Sequence, residues 1–364
     1  MEGAFSILFI SLYMLNKINL LFLTIFLSFC TQQDSNYNVT VSTSKSIKVQ
    51  EEAVVHISNL RSDFALSHDG RYISFTNFGS PPVVIIDMEG NYITHVGESG
   101  SGPEELQSPM YHGFNHDHQL AVYDTALDLV KVYDIDSGLA DTHPGPFTDG
   151  INPESHALHH CDNKWYSAIH KPGEVQDTSI AIFGVFDQNF KLIEKAGRAD
   201  EFMAGKRSVL APPVIDIHCG DGKLFATHEK TPFITKYDTD NFEIKHRTTE
   251  IPESFNLSDQ FRERADASFF DFMKYDQSGT AALYSHDDLL IHHYIHYTDK
   301  FIDHGDIILL DNYIAAYSRG DMQYQGQVKI DGYVGGMTSE GELVVLKDDD
   351  PENFTLAFKN ITID

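Results

Sequence analysis

The sequence predicts an all-β chain folded as a six-bladed β-propeller, and three observations carry the prediction. Helical periodicity is nearly absent, whereas short β-branched and aromatic runs bounded by Gly, Asp, Asn and Ser recur from about residue 46 to the end. Six of these runs share one pattern of strand, tight polar turn and second strand. The last repeat is one strand short, and an N-terminal segment is left over to complete it.

The six units read ALSHDGRYISFTN (65 to 77), GFNHDHQLAVYD (113 to 124), LHHCDNKWYSAIH (158 to 170), IHCGDGKLFATHE (217 to 229), KYDQSGTAALYSH (274 to 286) and MTSEGELVVLKD (337 to 348). Taking Gly70, His118, Asn163, Gly222, Gly279 and Gly341 as equivalent turn positions spaces the units 45 to 62 residues apart, room for four strands each. Several units continue into a further strand and turn, as in VVIIDMEGNYITHVG (83 to 97) and ITKYDTDNFEIKH (234 to 246). One four-stranded sheet cannot bury both its faces, so six of them pack radially around an axis. The final unit supplies strands near 333 to 338, 342 to 347 and 354 to 363, and its outer strand is expected from SIKVQEEAVVHIS (46 to 58), closing the ring.

Ahead of the repeats, residues 18 to 29 form an apolar run preceded by Lys17 and followed by Cys30 and a polar tract. A run of this length is shorter than the ~20 residues of a membrane span and has the layout of a signal peptide. The stretch beginning at Met14 is better formed as a signal than that beginning at Met1. The expected organisation is a signal peptide over 1–29, a lipidated Cys30 opening a flexible tether over 30–45, and a propeller over 46–364. Export places the chain in the periplasm or at the outer membrane, touching lipid only through the anchor, or secreted.

Charge narrows the partners. The 364 residues carry 54 Asp and Glu against 26 Lys and Arg, a formal charge of -28, with 41% hydrophobic residues. That apolar content builds a core and excludes wholesale disorder. The acidity repels phosphate backbones, so nucleic acid is excluded as a partner. Beyond Cys30 only Cys161 and Cys219 remain, too few for a disulfide framework. First strands of neighbouring blades are expected to stand too far apart for these two to bridge.

Between the first two units lies Gly97-Glu98-Ser99-Gly100-Ser101-Gly102-Pro103-Glu104-Glu105-Leu106-Gln107-Ser108-Pro109. This stretch resembles the GxGxGPGEF…P connection of six-bladed TolB-like and NHL-repeat-like β-propeller lipoproteins of Bacteroidetes-type bacteria. Glu104 replaces a Gly of that pattern and Leu106 a Phe. LAVYDTALDLVKVYD (120 to 134) is similar to an NHL-type blade. The resemblance implies fold and export, and little chemistry. The segment itself reads as a blade-to-blade connector, its glycines allowing positive φ.

For a site, the polar residues ending each second strand fall on one face around the channel mouth: Asn77, Asp124, His170, His228 with Glu229, His286 and Asp348. Imidazole, carboxylate and amide groups in a ring suit a divalent metal, calcium or zinc, or a polyol; strand-end capping explains the same residues. The acidic run Asp348-Asp349-Asp350-Pro351-Glu352 lacks calcium-loop spacing. On the other face the first-to-second strand turns carry His68, His116, His160-Cys161 and His218-Cys219, read as ordinary turn residues, with a soft-metal site or a Cys161-Cys219 disulfide as the alternative for the two His-Cys pairs. No nucleophile elbow, HExxH or phosphate loop is present. The expected function is non-enzymatic: a monomeric binding or scaffold module presenting loops to a protein, peptide or carbohydrate of the cell envelope. The alternative is a metal-dependent, lactonase-like hydrolase or lyase using Asp124, Asn77, Glu229 and Asp348 around an axial ion.

Overall fold

A computed structural model describes residues 38–50, 64–76, 80–145, 152–153, 158–170, 176–205, 212–257, 278–304, 307–348 and 354–364. Strands are numbered in chain order. Blade 1 holds β2 (Ala65–Leu66), β3 (Tyr72–Thr76), β4 (Val83–Asp87) and β5 (Tyr92–Val96); blade 2 holds β6 (Pro109–Phe114), β7 (Gln119–Asp124), β8 (Leu129–Asp134) and β9 (Gly138–Pro144). In blade 3 the inner position is split between β10 (Asn152–Pro153) and β11 (His159–Cys161), which both pair β12 (Lys164–His170), followed by β13 (Phe183–Phe186) and β14 (Leu192–Ala196). Blade 4 comprises β15 (Pro213–His218), β16 (Lys223–His228), β17 (Thr235–Asp238) and β18 (Ile244–Arg247). Blade 5 comprises β19 (Ser278–His286), β20 (Leu289–His296), β21 (Asp311–Ser318) and β22 (Tyr324–Ile330). Blade 6 is ordered β23 (Tyr333–Met337), β24 (Leu343–Asp348), β25 (Thr355–Ile363), β1 (Val39–Lys48).

The propeller is thus the all-β, six-bladed ring the repeats predict, closed by an N-terminal strand on the last blade. The closing strand differs in position. It runs over 39–48 rather than 46–58, pairing antiparallel with β25 from Val39↔Ile363 to Lys48↔Thr355, so residues 39–45 of the expected tether belong to blade 6. Residues 51–58 of the expected strand, with the signal segment and Cys30, lie outside the described residues.

Inner strands approach one another closely enough to bond. Phe64 N donates to Gly335 O at 2.8 Å, joining blade 1 to blade 6, and Leu158 N donates to His112 O at 3.2 Å between blades 3 and 2. A Cβ on Gly113 would lie 1.8 Å from the Leu158 carbonyl oxygen, so only glycine permits that approach. Blade faces bury alternating apolar side chains between neighbours; the seam of blades 6 and 1 joins Ile47, Val49, Phe64, Phe75, Phe354 and Phe358.

The glycine-rich segment is a connector with its own lock. Leu106 is buried against Gly97, and its N–H donates to Glu98 O at 2.7 Å. The Glu105 carboxylate folds back into the loop and accepts from Gly102 N at 2.7 Å. Lys131, buried, donates its ammonium to Gly102 O at 3.1 Å and to Glu105 O.

Candidate functional site

Each first-to-second strand turn places a residue at positive φ: Gly70 at 67°, His118 at 61°, Asn163 at 58° with Asp162 at 48° before it, Gly222 at 61°, Asp287 at 46° and Gly341 at 81°. Five are the positions the repeats select. In blade 5 the turn is at Asp287, eight residues beyond Gly279, because Gly279 is inside the single strand β19. A Cβ at Gly279 would meet Lys230 Nζ at 3.1 Å and the Glu229 and Tyr297 oxygens at 3.4 Å, so this glycine serves packing between blades.

That shift relocates His286. It ends the first strand of blade 5 and lines the same end of the channel as His68 and His160. The other rim candidates end second strands as expected: Asp124 on β7, His170 on β12, His228 on β16 and Asp348 on β24, with Glu229 following His228. Asn77 lies outside the described residues.

Two of these rim carboxylates are already occupied. Asp124, with no solvent exposure, accepts from the backbone N–H groups of Gln107 at 2.5 Å, Ser108 at 3.1 Å, Ala126 at 3.0 Å and Leu127 at 3.1 Å. Glu229 Oε1 takes the Lys230 ammonium at 2.8 Å and the Tyr297 hydroxyl at 2.9 Å. His228 is buried with neither ring nitrogen bonded, and burial holds it neutral by lowering its pKa to about 4. Asp348 is half-buried.

The concavity with convergent polar groups is at the turn end of the axis. A cavity of about 270 Å³ is walled by the first strands of all six blades. Its polar lining includes His68, His159, His160, Asp216, Ser285, His286 and Ser339. Asp216 reaches the channel lumen from β15, keeps a partial opening to it, and accepts from Ser285 Oγ at 2.5 Å. Enclosure by protein outweighs that bond and the Arg319 charge, pushing its carboxyl up to about 7.

The sign of its effect on stability follows. The folded state holds the Asp216 proton up to about pH 7, whereas the unfolded chain releases it near 3.8. The contribution is full below pH 3.8 and is lost as pH rises to 7. It amounts to about 4 kcal/mol at most, and less because the lumen admits water. Asp216→Asn is therefore expected to gain stability on wild type by roughly 2–4 kcal/mol between pH 4.5 and pH 8. Urea unfolding at the two pH values measures it; a difference that does not grow with pH contradicts the assignment.

At the mouth, blades 1, 2 and 3 bring three imidazoles together. The available donor atoms of His68, His116 and His160 all lie within 4.8 Å of one another, and among the described residues this is the only group of three or more His, Cys, Asp or Glu donors so close. The His68 and His116 rings stack at 4.1 Å, and His116 meets His160 edge-on at 5.1 Å. His160 is buried against Trp165 at 4.8 Å, and its Nδ1 has no partner. Burial first, and neighbouring imidazoles second, lower His68 and His160 to about 4; His68 keeps an exposed edge. Asp69, Asp117 and Asp162 stand in the same three turns.

Cys161 and Cys219 are free thiols and neighbours. The hydrogen bond between them, then burial, pushes the Cys161 thiol far up. They are not bridged, as expected, but Cys219 opens the short turn Cys219–Asp221 rather than lying on a strand, and its Sγ reaches His160 O at 3.5 Å.

Fold and site together define a six-bladed β-propeller whose channel opens at a histidine-ringed mouth. No protein-family model matches the sequence, and no curated protein matches it. Among solved structures, it is similar to a member of the DUF4221 family from Bacteroides vulgatus, with a TM-score of 0.59 and 12% identity over 90% of this chain and 98% of that one. It is also similar to a Bacteroides fragilis protein inferred to be exported, with a TM-score of 0.56 and 16% identity over 92% of this chain and 97% of that one. At such identities the likeness establishes the fold alone.

Proposed function

We propose that the protein is an exported binding propeller, anchored through a lipidated Cys30, that receives part of an envelope protein, peptide or carbohydrate in the channel mouth on its first-to-second strand turn face. The observation that carries this reading is the cavity itself, walled by all six blades and polar at its open end. At about 270 Å³ it is slightly below the usual range for small-molecule pockets. A side chain or one sugar unit fits, with the rest of the ligand lying across the surrounding turns. The engagement of Asp124 by four backbone amides and of Glu229 by Lys230 and Tyr297 favours this over a lactonase-like hydrolase, which needs those carboxylates facing the channel. The Bacteroides fragilis neighbour supports export.

Arrays of peptides and glycans, probed with wild type and two variants, test the reading. Ser339→Trp plugs the mouth from an exposed turn of blade 6 and is expected to abolish the wild-type hits, while Asp348→Ala on the opposite face leaves them. The reverse pattern, or no wild-type hit, overturns the proposal. In cells, Cys30→Ser is expected to move the protein from the membrane to the soluble fraction.

A further inference from the structure

We infer that His68, His116 and His160 form a three-imidazole site for one Zn2+ ion, with the fourth coordination position open to the channel mouth. The site stands on geometry independent of what ligand the propeller binds. Three consecutive blades each contribute one histidine, His68 and His116 from the first-to-second strand turn and His160 from the end of β11 just before it, and their donor atoms converge within 4.8 Å. Tetrahedral zinc with Zn–N bonds of about 2.05 Å needs donors about 3.3 Å apart. The adjustment is therefore at most about 1.5 Å, and it falls on the exposed turn side chains of His68, which exchanges its bond to the Phe114 backbone for the metal, and His116, while buried His160 is held against Trp165.

A second observation points to a ligand. His160 is 7% exposed, its Nδ1 has no hydrogen-bond partner, and a buried ring nitrogen left bare is costly unless something binds it. Nitrogen donors select a borderline metal and disfavour calcium, which takes oxygen ligands. Asp69, Asp117 and Asp162 surround the site with negative charge that draws a cation in, although Asp69 is itself engaged by Ser67 and Arg71. Three histidines with a free fourth position leave the ion able to take a carboxylate, an imidazole or water.

Chelator-stripped protein titrated with Zn2+ alone by calorimetry, and analysed for bound metal after dialysis, tests the inference without any ligand. Wild type is expected to hold one ion per chain. His116→Ala and His68→Ala, both at exposed turns, are expected to fold as wild type and to weaken binding at least about 100-fold. His95→Ala, a distant histidine beside Glu98, is expected to change nothing. Co2+ in place of zinc is expected to give the strong visible absorption of a four-coordinate site in wild type and none in His116→Ala. Stoichiometric zinc surviving in both variants, equal loss in His95→Ala, or no zinc in wild type overturns the site. The array hits are read separately, so metal-free binding there and metal binding here fail independently.

Discussion

Deletion of residues 39–48 is expected to cost the protein its folded monomeric state, the largest effect any short change should produce. The segment supplies the whole outer strand of blade 6, paired with β25 from Val39 to Lys48. It also buries Val39 and Ile47 and delivers Val49, 1% exposed, to the seam of blades 6 and 1. Three such side chains are worth about 1.5–3 kcal/mol each, before counting the lost ladder. The sum, about 4.5–9 kcal/mol, is comparable to the about 5–15 kcal/mol of ordinary domain stability. The deletion also bares β25 as an unpaired edge. Size-exclusion chromatography and urea unfolding are expected to show association and a lost cooperative transition. Ile47→Asp places a charge in the same seam and is expected to reproduce much of the loss, while Ser42→Ala, exposed on the same strand, is not. A truncated chain unfolding like wild type refutes the closure.

The closing strand also illustrates what the sequence hides. Residues 40 to 46 read TVSTSKS, the composition of a tether, yet they form an edge strand with nearly every side chain exposed. An outermost strand packs so little of its surface that the alternation marking inner strands fades, and the pairing partner more than 300 residues away leaves no local trace. Inner strands such as Val83–Asp87, buried at four of five positions, were legible from composition alone. Blade 5 failed for another reason. Gln277-Ser278-Gly279-Thr280 has turn chemistry, but Gly279 answers to Lys230 and Glu229 of the neighbouring blade, and Asp287-Asp288 turns without glycine. His286 was thereby assigned to the wrong end of the channel.

The histidine mouth was half visible. His68 and His116 each precede the positive-φ turn residue by two positions and His160 precedes it by three, a recurrence readable in the sequence. Each taken singly is an ordinary turn residue. Only curvature of the ring brings three consecutive turns together, and that convergence is a property of how blades pack, absent from any one repeat.

Asp124→Ala is the second large expected loss, and it separates the two meanings of a polar strand end. Its carboxylate accepts two N–H groups from the connector, at Gln107 and Ser108, and two from the following turn, at Ala126 and Leu127. A bond to a charged acceptor contributes about 1.5–3 kcal/mol net, and buried donors left bare cost about 1–3 kcal/mol each. Such terms are not additive, and water entering the gap restores part, so about 3–5 kcal/mol is expected in urea unfolding. Asp124→Asn with its oxygen in the Oδ1 position still accepts from Ser108, Ala126 and Leu127 and turns its NH2 group toward the single donor Gln107 N–H, so it should lose clearly less. A residue kept for ligand contact would behave in the opposite way, losing array binding at no cost to stability. In blade 2 the second-strand end is polar because its carboxylate holds the connector that enters the blade's own first strand, and with four backbone N–H groups on it and no solvent exposure it is spent on structure rather than on a substrate.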